Sequence, residues 1–189
     1  MTSDSKRTRS PLPKDLQVRV YRRDGWLCRW CGRPVVFAPA MRLLELWITE
    51  QGCSSPLAYH DPRWRRDRAP MLDHLGAVID HVEAFVRGGM HDEPNFVTSC
   101  NKCNVRKNSA AVSEFERRSP RIPVKGKYGE PSHWDGMTTL FILLASERVA
   151  ELSASELAWL KALRDGPAEV KSERSPAAAT LSKAARSKT

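Results

Sequence analysis

No stretch of the chain approaches the run of roughly 18 apolar residues that a membrane span requires. The longest greasy run, TTLFILLA at 138–145, is far too short. The opening residues, MTSDSKRTRSPLP, lack the apolar segment of a secretory signal. The protein is therefore expected in the cytoplasm, with no membrane partner. No internal repeat is present. Acidic residues are in deficit: 22 Asp and Glu stand against 31 Lys and Arg, a formal net charge of +9. That balance favours a polyanionic partner, nucleic acid first, over a merely soluble basic protein. The 189 residues allow one domain with extensions, and the 41% hydrophobic content allows a core, though not a large one.

Disulfides are rare in the cytoplasm, so five cysteines need another explanation. Four form two Cys-x-x-Cys pairs, Cys28 with Cys31 and Cys100 with Cys103. A two-residue gap lets both sulfurs of a knuckle face one ion, and two knuckles complete the tetrahedral four-thiolate shell that zinc accepts. A redox-active thiol pair is the rival, but the strand–helix–strand pattern expected beside one is missing. In small modules zinc supplies roughly 10 kcal/mol of folding free energy. Cys53 is left over and is expected to be a free, partly buried thiol.

Along the chain, residues 1–13 read as a disordered basic arm. Residues 14–25 read as a short helix, with Leu16 and Val20 four apart and Gly25 at the stop. Residues 26–35 are a cysteine knuckle, 39–52 a second helix, and 54–70 an arginine- and proline-rich loop. The stretch from 36 to about 74 looks like an insertion. Residues 76–86 read as a strand, RGGMHDEP as a turn, 95–99 as a second strand and 102–118 as one helix. A linker at 119–131 leads to two helices, the second opened by a capping box of Ser153 and Glu156. Residues 167–189 form a basic, alanine-rich tail, also expected to be disordered.

Three segments, RRDGWLCRWCGR, IDHVEAFVRGG and NFVTSCNKCNVRKN, together resemble the HNH endonuclease superfamily, in its branch with a four-cysteine zinc site. The resemblance covers about residues 14–110, apart from the insertion. It implies an α+β fold: a ββα-metal core pinned by zinc, here with a helical insertion and a C-terminal helical extension. It implies a nuclease domain over 14–118, followed by linker and helices to 166.

The resemblance also implies the site. His81 matches the family's general base, and a neutral imidazole can take a proton from water near physiological pH. Asp80 matches a metal ligand whose hard oxygen suits Mg²⁺. Asn104 matches the second ligand, and its amide oxygen, where some relatives carry His, favours Mg²⁺ or Mn²⁺. Asn108, four residues on, is a weaker third. Asn95 matches the central Asn of the motif and is assigned to holding the loop. One geometric difficulty stands: neighbours on a regular strand point to opposite faces, so Asp80 and His81 share a site only where faces converge or a bulge or strand end re-aims one of them.

Arg19, Arg22 and Arg23 before the first knuckle, Arg63, Arg65, Arg66 and Arg68 around Trp64, and Arg106 with Lys107 after Asn104 are candidates for DNA phosphate contacts. Trp26 and Trp30 are expected to pack rather than stack on bases. His91 is expected in solvent, and His60 and His74 are not expected to ligate. Three readings follow: a metal-dependent DNA nuclease, a zinc-stabilised DNA-binding module without chemistry, and an adaptor using its C-terminal helices. The Asp80, His81 and Asn104 set favours the first.

Overall fold

The structure, a computed structural model, describes residues 10–53, 69–118 and 134–165. Of the sequence expectations, the insertion arginines, Trp64, His60, the linker at 119–131 and the tail at 167–189 lie outside those residues. Among the described residues are seven α-helices and one two-stranded antiparallel sheet.

Helix α1, Lys14–Arg23, buries Val18, Val20 and Tyr21. It stops at Asp24, and the next two residues take left-handed backbone, Gly25 at φ 62° and Trp26 at φ 55°. That reversal drops Trp26 into the core and delivers the first knuckle, closed by Cys28 N–H donating to the Arg33 carbonyl at 2.8 Å. Helix α2, Ala38–Glu50, has Pro in its first turn, where a missing N–H costs nothing. Helix α3, Pro70–Leu75, begins the same way, starting at the last residue of the expected 54–70 loop and closing the stretch expected to be an insertion.

Strand β1, Ala77–His81, pairs with β2, Phe96–Cys100, in a register that sets Ala77 opposite Cys100 and His81 opposite Phe96. Strand β1 is shorter than the 76–86 expected. After His81 the chain bends and enters a 3₁₀ turn at Phe85–Arg87, because the Asn95 side chain cinches the loop there. Helix α4, Asn101–Lys107, and helix α5, Val112–Arg118, replace the single helix expected over 102–118. The break is Asn108 at φ 49°, a conformation Asn tolerates better than most residues. It turns α5 so that Phe115 meets Trp30 edge-on at 5.7 Å.

Helices α6, Thr138–Glu147, and α7, Ala154–Asp165, close the core. Phe37 meets Phe141 at 5.1 Å and Trp159 at 5.0 Å, both near perpendicular, the geometry that aromatic quadrupoles favour. These helices are thus part of the same hydrophobic core as the cysteine knuckles, which removes the basis for reading them as a free partner surface. The turn before α6 needs glycine: at Gly136, φ 70°, a Cβ would sit 2.2 Å from the Trp26 ring. The capping box of α7 is present, with Ser153 N–H donating to Glu156 Oε2 at 2.9 Å and Glu156 N–H donating to Ser153 Oγ at 3.3 Å. No helix of the described residues is long and apolar enough to cross a membrane.

Candidate active site

The two knuckles converge. The sulfurs of Cys28, Cys31, Cys100 and Cys103 all lie within 4.8 Å of one another, and none is in a disulfide. Zinc–thiolate bonds of about 2.3 Å require sulfurs roughly 3.8 Å apart. The cluster fits a zinc ion. Hydrogen bonds from Cys100 and Cys103 pull the Cys28 thiol far below its ordinary value and the Cys31 thiol down to about 7. Those from Cys100, Cys28 and Cys31 push Cys103 well up. Sulfurs so close cannot all ionise unless a cation neutralises them. Cys100 also caps α4, its sulfur accepting from the Cys103 N–H at 3.4 Å. Cys53 is exposed, not partly buried, and lies apart from the cluster.

Trp30, inside the first knuckle, connects this cluster to the second site. Its buried indole N–H donates to Asp80 Oδ2 at 2.8 Å. Lys107 Nζ reaches Asp80 Oδ1 at 3.4 Å and the His81 carbonyl at 2.7 Å. The His81 N–H donates to the same Asp80 Oδ1 at 2.8 Å. That last bond answers the geometric difficulty: His81 is the final residue of β1, and the Asp80 carboxylate folds back over it, so both line one cavity. Burial pushes the Asp80 carboxyl above its ordinary value, with Lys107, Trp30 and the His81 N–H acting against it.

The cavity, about 670 Å³, is lined by Asp80, His81, His91, Asn104 and Asn108, among others. Asn104 comes from α4, and Asn108 is the residue that ends it. The residue types suit a hard divalent ion: a carboxylate offers about four lone-pair directions, three donors engage Asp80, and Asn104 and Asn108 line the same cavity.

His81 is held on several sides. Phe96 meets its ring edge-on at 5.0 Å, and its Nε2 lies 3.1 Å from His91 Nδ1. His91 Nε2 lies 3.1 Å from the Ser10 carbonyl. His91 is thus packed against the site, not in solvent. Residues at the end of the expected disordered arm border the same cavity, Ser10 and Leu12 among them. Asn95 clamps the loop: its Oδ1 accepts from Glu83 N–H at 2.9 Å, and its Nδ2 donates to the carbonyls of Glu83 and Met90 at 2.9 and 2.7 Å.

The basic residues divide. Lys107 is corrected: its side chain is 0% exposed and paired with Asp80, so it is not on the surface where a DNA phosphate could reach it. Arg22 is half-buried and donates to the Leu163 carbonyl at 2.8 Å. Arg23 donates to the Phe96 carbonyl at 2.6 Å while staying exposed. Arg106 is on the exposed side of α4, two residues after Asn104 and so on roughly the opposite side of the helix.

Trp30 packs as expected, but its bond to Asp80 was not foreseen, nor was the inward course of His91 and Lys107. Only the Trp30 bond carried a signal: a buried indole N–H needs an acceptor.

Residues 70–110 match the family model for the HNH endonuclease domain. The match spans β1, the loop, β2 and α4, the elements that carry Asp80, His81, Asn95 and Asn104. No curated protein and no solved structure matches the chain significantly.

Proposed function

We propose that this protein, with an HNH endonuclease domain at residues 70–110, is a metal-dependent endonuclease that hydrolyses phosphodiester bonds in DNA. The observation that carries the reading is the meeting of Asp80, His81 and Asn104 on one cavity, with His81 buried between aromatic neighbours. Asp80 and Asn104 would hold a Mg²⁺ or Mn²⁺ ion, with Asn108 a weaker third. Bound there, such an ion supplies Lewis-acid charge to the phosphate and to the departing 3′ oxygen. His81 takes a proton from water as the water oxygen bonds to phosphorus and the bond to the 3′ oxygen breaks. Asn95 holds the loop that follows His81 and carries no reacting atom. Exposed Arg106 and Arg23 are suited to backbone phosphates, which makes binding salt-sensitive and largely indifferent to sequence.

The test is cleavage of supercoiled plasmid. Wild type should nick or linearise it with Mg²⁺ or Mn²⁺ and stop with EDTA. His81→Ala should lose roughly a hundredfold or more in rate and still bind DNA. Equal cleavage by both proteins would sink the assignment of the base. Binding with no cleavage by wild type under any divalent ion would leave the non-catalytic DNA-binding module instead.

A further inference from the structure

We infer that His91 is a positioning residue that fixes the tautomer of His81, a role that rests on the nuclease reading only for its consequence in catalysis. A backbone carbonyl can only accept, so the 3.1 Å contact between the Ser10 oxygen and His91 Nε2 requires a proton on that nitrogen. In a neutral ring the other nitrogen, His91 Nδ1, is then an acceptor. It faces His81 Nε2 at 3.1 Å, so His81 Nε2 carries the proton and donates. A neutral His81 therefore keeps its lone pair at Nδ1. With both rings neutral, this is the one assignment that satisfies both contacts. His81 is thereby set up as a base at a defined atom, not as an even mixture of tautomers.

The packing supports the assignment. The His81 and His91 ring centroids lie 5.3 Å apart with their planes 25° from parallel, so the two rings pack closely against each other. Phe96 stands edge-on to both, at 5.0 Å from His81 and 5.2 Å from His91, and Phe85 closes the far side of His91 at 5.9 Å. Both rings are thus packed against aromatic neighbours. Asn95 adds a second restraint, since its bond to the Met90 carbonyl holds the residue just before His91.

The experiment combines two variants and two readouts on the full chain. His91→Phe keeps an aromatic ring and removes the acceptor. His91→Asn places an amide oxygen near the old Nδ1 position and restores it. Long-range ¹H–¹⁵N correlation spectra of histidine-labelled protein read the tautomers directly. Wild type should show His81 protonated at Nε2, His91→Asn should keep that state, and His91→Phe should shift His81 toward a tautomer mixture. In plasmid cleavage, His91→Phe should lower kcat by roughly ten- to a hundredfold with little change in KM, and His91→Asn should recover most of the loss. Mn²⁺ affinity, measured by electron paramagnetic resonance, should be the same in all three proteins. His81 protonated at Nδ1 in wild type would overturn the inference, as would a His91→Phe protein with unchanged tautomer and kcat. Weakened Mn²⁺ binding in His91→Phe would make His91 a ligand and overturn it too. The nuclease reading fails separately: wild type with the expected tautomers but no cleavage would count against that reading and for the hydrogen-bonded chain.

Discussion

Lys107 and Asp80 form an ion pair inside the protein, Nζ to Oδ1 at 3.4 Å, with side chains 0% and 7% exposed. Breaking a buried pair from one side strands the other charge, at a typical cost of about 3–5 kcal/mol. Lys107→Met should therefore lower stability by that order in urea unfolding. Adding Asp80→Asn should recover part of the loss, because the stranded charge is then gone. A Lys107→Met protein of unchanged stability and weakened DNA binding would return Lys107 to the surface role first expected from sequence.

The four-cysteine cluster should hold one zinc per chain. Cys100→Ser removes a ligand and the sulfur that caps α4 together, so it should aggregate or melt far below wild type. Elemental analysis of purified protein checks the stoichiometry. A folded, active sample without zinc would reject the assignment.

The two metal sites should differ in exchange. The thiolate site is closed, whereas Asp80 and Asn104 border an open cavity and offer only oxygen. Brief EDTA treatment should abolish cleavage while circular dichroism and zinc content hold. Mg²⁺ or Mn²⁺ should then restore activity without refolding. Asp80→Ala should lose this rescue and keep its zinc. If activity and zinc always disappear together, and zinc alone restores cleavage, there is one functional ion and not two.

The cap of α7 gives a prediction in pH. Burial raises the Glu156 carboxyl, but bonds from Ser153 and the nearby Arg42 outweigh it, so the folded value lies below the ordinary 4.5. A depressed carboxyl stabilises the fold above its unfolded value, and that contribution is lost as pH falls through the folded one. Ser153→Ala should cost about 1 kcal/mol at neutral pH. The difference from wild type should shrink in acid, below roughly pH 4, as measured by thermal unfolding. A gap that widens in acid would contradict the assignment.

Local signals in the sequence were strong where spacing alone decides structure. The two Cys-x-x-Cys knuckles, the strand pair, the start of α4 and the α7 capping box could all be read from neighbouring residues. What stayed hidden depends on distant partners. Lys107 looks like any helix-surface lysine until folding brings Asp80, 27 positions earlier, beside it. His91 sits in a turn whose composition reads as solvent-facing, and only the Asn95 clamp folds that turn back over His81. The end of β1 has the same origin, since the Asn95 side chain closes on the loop against a local pattern that would have let the strand run on. The break at Asn108 lies in its own positive-φ backbone, inside a pattern that would have let one helix run on.

Trp30 sits between two zinc cysteines and also holds the Asp80 carboxylate. Under the proposed function the two metal sites would therefore share a mechanical member. A zinc ion on the cysteines would fix the knuckle, the knuckle the indole, and the indole the Asp80 carboxylate that borders the cavity. Free-energy coupling of this kind is reciprocal, so whatever zinc contributes to the second ion's affinity returns as tighter retention of zinc. Oxidants that strip zinc from its thiolates would then weaken the cavity's grip on its own ion before the fold as a whole gives way. Under the proposed function, thiol chemistry at the knuckle would thus reach the cavity through Trp30 and Asp80, without touching DNA or any reacting atom.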